Sequence, residues 1–145
     1  MNCLKEAEYK LRDYNAKKNS ITATAEQIFM LEAESTCVRS ATTDGTPVQD
    51  GGNRREDAML NNIAARMELK AAHDSAEAWM SVVYGALDVL TDDERRILDR
   101  FYINRQKGHA ERLMEEMNLE KAQVYRVKDA ALRKFALALY GVTET

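Results

Sequence analysis

The sequence predicts an all-α protein: a long N-terminal helical hairpin or coiled coil, then a C-terminal helix-turn-helix domain. Three observations carry this. Apolar side chains recur at steps of three and four along most of the chain, while the alternation of β-branched residues that marks strands is nearly absent. The only proline, Pro47, and three of the six glycines fall together between Ser40 and Asn53, so strong helix breakers are concentrated in one segment. Finally, Thr91 to Glu94 (TDDE) has the spacing of a capping box, the signature of a new helix beginning.

The first element is a long helix reaching about residue 34. Leu4, Ala7, Leu11, Tyr14, Lys18, Ile21, Ala25 and Ile28 follow heptad steps and share one stripe. Lys18 interrupts that seam, and Ser20, Thr22 and Thr24 lower helix propensity, so a kink or frayed turn is expected at 18–24. The segment 40–53 (SATTDGTPVQDGGN) reads as a flexible loop. Asn53 or Gly52 is placed to cap the next helix, 54–90, whose apolar candidates include Leu60, Ile63, Met67, Val82 and Leu87. Two long helices around one loop form an antiparallel hairpin or pack against a second protomer as a homodimer, and both arrangements stay open. The chain thus divides into a helical region, 1–90, and a smaller domain, 91–141.

Within that smaller domain a helix carries Ile97, Leu98 and Phe101 on one face, and a polar turn follows at 104–109. A short helix, 110–117, contributes Leu113, Met114 and Met117. Asn118 tolerates the left-handed conformation that ends a helix, Leu119 plugs the turn, and the last helix starts near Glu120. Its Val124, Val127, Ala131, Leu132 and Phe135 recur at core spacing. Lys121, Gln123, Tyr125, Arg126 and Lys128 fall elsewhere on the helix, near its N-terminal end, where a recognition helix meets DNA. Arg126 and Lys121 can donate to guanine O6 and N7, Gln123 can pair with adenine N6 and N7, and Tyr125 can meet a phosphate or thymine methyl. The plainer alternative is the solvated face of an amphipathic helix.

Charge agrees with a local rather than a global polyanion contact. The chain has a net charge of −3, yet residues 119–141 hold 5 Lys and Arg against 2 Asp and Glu. Cys3 and Cys37 are the only cysteines, and neither they nor His73 and His109 have the spacing of a zinc site, so no metal or cofactor is expected. No apolar run approaches the ~18 residues that span a bilayer. No nucleophile and base can be paired, so there are no catalytic candidates and an enzyme is not expected. Reduced thiols and no signal peptide imply a cytoplasmic chain. In the loop region, Gly51 to Arg55 (GGNRR) resembles a backbone nest followed by cations, which makes Arg54 and Arg55 candidates for a phosphate or partner contact; the alternative is a plain connector.

Residues 90–140 resemble the fourth conserved region of bacterial sigma factors, which reads promoter DNA. The resemblance runs through TDDERRIL, RFY, ERLMEEMNL and LEKAQVYRVKDAALRKF. It implies that Lys121, Gln123, Tyr125 and Arg126 stand at DNA-contacting positions and that Ala122 offers a base only a methyl. Two departures set limits. The turn RQKGHAE lacks the family's usual Gly and Ser arrangement, and nothing upstream resembles the helix that melts promoter DNA, so a complete sigma factor is not implied. The whole chain resembles small transcriptional regulators of phages and prophages of Gram-positive bacteria, the ArpU-like and RinA-like group, through SATTDGTPVQDGGNRREDAML and FALALYG. That resemblance implies a regulator that binds double-stranded DNA and acts with host RNA polymerase in the bacterial cytoplasm. Two other functions fit the same pattern: a small terminase-like DNA-packaging protein, and an RNA polymerase interaction module that never touches DNA.

Overall fold

The computed structural model describes residues 1–41 and 51–142, and among these the fold is all-α, with no strand. Six α-helices follow in order: α1 (Cys3–Arg12), α2 (Tyr14–Ala41), α3 (Gly51–Asp88), α4 (Asp92–Leu98), α5 (His109–Met117) and α6 (Lys121–Tyr140). A π-helical turn, Asp99–Ile103, continues α4. The residues group into two compact units, 1–17 with 79–142, and 18–78.

The first unit holds the hydrophobic core. Asn2 caps α1 by accepting from the Lys5 amide at 3.1 Å, and the four-residue spacing of Cys3, Ala7 and Leu11 puts all three on one buried face. Ala7 and Leu11 pack with Val83 and Leu87 from the end of α3, Leu90 just beyond it, Ile97 and Leu98 of α4, Leu113 of α5, and Val124, Leu132 and Phe135 of α6. Each large side chain buried there contributes about 1.5–3 kcal/mol of hydrophobic stabilisation. Residues 1–17 and 79–90 therefore share one core with the segment from 91 onward.

The Thr91 capping box forms as its spacing predicts. The Thr91 hydroxyl accepts from the Glu94 amide at 3.3 Å, and Glu94 Oε1 accepts from the Thr91 amide at 3.1 Å. The same carboxylate accepts from Lys134 Nζ of α6 at 3.0 Å, so one side chain caps α4 and ties it to α6. Partial desolvation pushes the Glu94 carboxyl up, but the Thr91 amide, the Lys134 ammonium and the Thr91 hydroxyl outweigh it and hold the group below its ordinary value. Its stabilisation is then fully present above the ordinary value of 4.5 and is lost as pH falls through the lowered folded value. Glu94→Ala is expected to reduce stability by about 1 kcal/mol at neutral pH, by loss of the cap, and by progressively less in acid. Urea midpoints of wild type and variant, at neutral and at acid pH, check this; equal midpoints at neutral pH would contradict it.

Further on, the π-turn ends where the Asn104 amide donates to the Asp99 carbonyl at 2.7 Å, a bond spanning five residues. Asn15 Nδ2 reaches the same place, donating to the Ile103 carbonyl at 3.2 Å and to Asn104 Oδ1 at 2.9 Å. Gly108 then opens α5 at φ +76°, a conformation that side-chain-bearing residues rarely adopt. Asn118 closes α5 in the left-handed region (φ 55°, ψ 46°), and the Leu119 amide donates to the Met114 carbonyl at 3.1 Å. Leu119 packs half-buried against the core and α6 begins two residues later, as its sequence predicts.

The long helices differ from expectation in three respects. The frayed turn or kink expected at 18–24 does not interrupt the helix, and α2 runs through those residues. Thr24 Oγ1 donates to the Ser20 and Ile21 carbonyls at 2.7 and 3.1 Å, so its hydroxyl is satisfied inside the helix instead of breaking it. The interruption falls earlier, at Asp13 between α1 and α2. The loop is also shorter at both ends than predicted: α2 extends to Ala41 and α3 begins at Gly51, leaving 42–50 outside the described residues. The helices α2 and α3 meet where Asn62 Nδ2 donates to the Leu31 carbonyl at 2.8 Å, and Arg66 Nε donates to Asn62 Oδ1 at 2.8 Å.

Candidate nucleic-acid interface

One face of α6 is sealed into the core, and that fixes which side chains are free. Val124, Ala131 and Phe135 have no exposure and Leu132 has almost none. Lys121, Ala122, Gln123 and Arg126 are exposed and Tyr125 is 39% exposed. Lys121 and Arg126 make no hydrogen bond or ion pair among the described residues, so both cations are available at the N-terminal end of α6.

Tyr125 is held by its neighbours. Its ring meets Phe101 edge-on, with centroids 5.5 Å apart at 75°. Phe101 also meets His109 edge-on at 4.6 Å, so one buried ring links the start of α5 to the first turns of α6. His109 Nδ1 lies 3.0 Å from the Gln106 carbonyl, which ties in the turn before α5. That turn carries Arg105 and Lys107, two exposed cations that the sequence leaves unassigned. Phe101 is legible in the sequence only as a core residue, because its partners lie 8 and 24 positions downstream.

Two of the expected DNA contacts are occupied. Gln123 Oε1 accepts from the Glu120 amide at 3.2 Å and completes a capping box on α6, so its carbonyl oxygen is not free while its NH2 group remains a donor. Lys128 is the larger departure. Only 17% of its side chain is exposed, its Nζ lies 2.8 Å from Asp129 Oδ1, and the ammonium sits 5.5 Å from the Phe101 and Tyr125 ring centroids. Partial burial opposes the Lys128 charge, but Asp129, Tyr102 and Glu8 more than offset it and raise its pKa above the ordinary lysine value. Lys128 is thus a structural cation beneath Tyr125.

Arg54 and Arg55 lie on the first turns of α3 and are exposed. Gly51 and Gly52 are helical, so the expected backbone nest is absent there, and the remainder of the 40–53 segment falls largely outside the described residues. His73 lies 3.4 Å from Asp74 and 3.6 Å from Glu77. One ligand atom from each of these three side chains falls within 4.8 Å of the others, a grouping the sequence does not announce, but it is largely exposed and consists of an i, i+1, i+4 cluster on one helix. Comparison with family models, with curated proteins and with solved structures returned no match to this chain.

Proposed function

We propose that the chain is a sequence-specific DNA-binding transcriptional regulator in which α5, the turn 118–120 and α6 act as a helix-turn-helix. The observation that carries this is the N-terminal end of α6. Two exposed cations, Lys121 and Arg126, without a hydrogen bond or ion pair among the described residues, flank a braced, part-exposed Tyr125 on a helix that buries Val124, Ala131, Leu132 and Phe135 in the core. A rigid helix with free donors at that end suits the major groove, where guanidinium and ammonium groups read guanine edges and also neutralise phosphates. In this reading Gln123 donates through its NH2 group alone, and Lys128 orients Tyr125 instead of touching DNA.

The sigma-region-like pattern of residues 90–140 supports a regulator of phage or prophage type that acts with host RNA polymerase in the bacterial cytoplasm. Among the described residues no helix is long and apolar enough to cross a membrane. Arg105 and Lys107, in the turn before α5, are assigned to phosphate contacts, which position the protein without reading sequence.

Arg126→Ala and Lys121→Ala test the assignment. Neither side chain supports the fold, so the circular dichroism of each variant should match wild type. Affinity for a duplex selected by the wild-type protein should fall by about 1–3 kcal/mol per lost base contact, roughly 5- to 150-fold. Arg105→Ala should instead weaken all duplexes alike and flatten the salt dependence. Unchanged affinity in both α6 variants would remove the recognition-helix assignment.

A further inference from the structure

The helical pair 18–78 has almost no interior of its own: among its described residues only Ala76 is buried. The side chains of α3 on the side of α2, among them Met59, Asn62 and Ala65, are merely half-buried. On the opposite side of α3, Leu60, Ala64, Met67, Ala71, Asp74 and Ala78 succeed one another at steps of four and three. All six are exposed, Leu60 by 64% and Met67 by 68%. Alternating steps of four and three repeat every seven residues, the period of a coiled-coil seam, and a helix that is apolar on both sides has a second surface to bury.

We propose that this seam binds a second copy of the chain, with the two α3 helices antiparallel about a two-fold axis at the level of Leu69. The pattern of volume and charge selects that occupant and that direction. In the antiparallel register Leu60 faces Ala78 of the second copy, Met67 faces Ala71, and Ala64 faces Asp74, with each pairing repeated by symmetry. Every large apolar side chain then meets a small one, which is how facing layers interdigitate. A parallel pair would stack Leu60 on its own copy, leave the alanine layers underfilled, and press two Asp74 carboxylates together in a drying seam, where like charges repel most strongly. The antiparallel contact is isologous and closes at two chains. It differs from the N-terminal heptad seam that the sequence suggests, because Ala7 and Leu11 of that seam are already buried in the first unit.

The test uses the full chain and no DNA, so its outcome is independent of the proposed function. Wild-type protein should sediment with the mass of two chains, and Met67→Lys with the mass of one at unchanged helicity, since Met67 is exposed within a single chain. In a Cys37→Ser background, which removes the exposed native thiol, Met67→Cys mixed with Ala71→Cys should form a disulfide-linked pair on mild oxidation. Asp74→Cys alone should not link, because the antiparallel register separates its two copies by about ten residues, roughly 15 Å along the axis and beyond disulfide reach. Wild-type protein sedimenting as one chain, Met67→Lys retaining the mass of two, or Asp74→Cys linking to itself would each overturn the proposal.

Discussion

Residues 91–142 expressed alone are expected not to fold. This segment looks self-sufficient in sequence, with its own capping box, turn and amphipathic last helix, but its core is completed from outside. Ala7 and Leu11 arrive from α1, and Val83, Ala86, Leu87 and Leu90 from the end of α3 and just beyond it, all less than 9% exposed. Stripping away the four large side chains forfeits about 1.5–3 kcal/mol apiece, some 6–12 kcal/mol in all. A small domain has only about 5–15 kcal/mol of stability to lose. The uncovered faces of α4 and α6 would also bring aggregation. Far-ultraviolet circular dichroism and thermal unfolding of the segment, beside the full chain, check this. A cooperative transition and native helicity in 91–142 alone would contradict the shared core.

Phe135→Ala is expected to cost far more stability than any substitution on the exposed face of α6, about 3–5 kcal/mol. Phe135 is fully buried on α6, in the core that also receives α1, α4 and α5, so its removal leaves a cavity that several helices border. The collapse needed to refill that space would move α6 relative to α4, to which it is also tied by Lys134 and Glu94. Chemical denaturation of the full chain should show the loss. A loss below about 1 kcal/mol would mean that the core is far looser than its burial indicates.

What could be read directly from the sequence was local. The Thr91 box, the left-handed Asn118 and the buried stripe Val124, Ala131, Leu132 and Phe135 each depend on residues a few positions apart, and each forms as expected. What could not be read depends on distant partners. The heptad from Leu4 to Ile28 is broken only at Lys18 in sequence, yet Ala7 and Leu11 belong to the core of the first unit while Ile21 and Ile28 lie in the second. Lys128 looks like a free DNA-facing cation until Phe101, 27 positions upstream, is placed beneath it. Gln123 could have been anticipated: a glutamine three residues after the helix-opening Glu120 has the spacing of a cap, and that local use competes with base reading. The four-and-three spacing of Leu60, Ala64, Met67, Ala71, Asp74 and Ala78 is present in the sequence, but only the structure shows that all six are exposed.

Selection from a randomised duplex pool at fixed, near-physiological salt decides whether the N-terminal end of α6 reads duplex DNA. Wild-type protein and the Lys121→Ala/Arg126→Ala double variant would be run in parallel. Wild type should enrich a defined motif containing guanines, and the double variant, equally helical, should enrich none above the input pool. Failure of wild type to enrich any motif, or enrichment of the same motif by both proteins, would contradict DNA reading by α6.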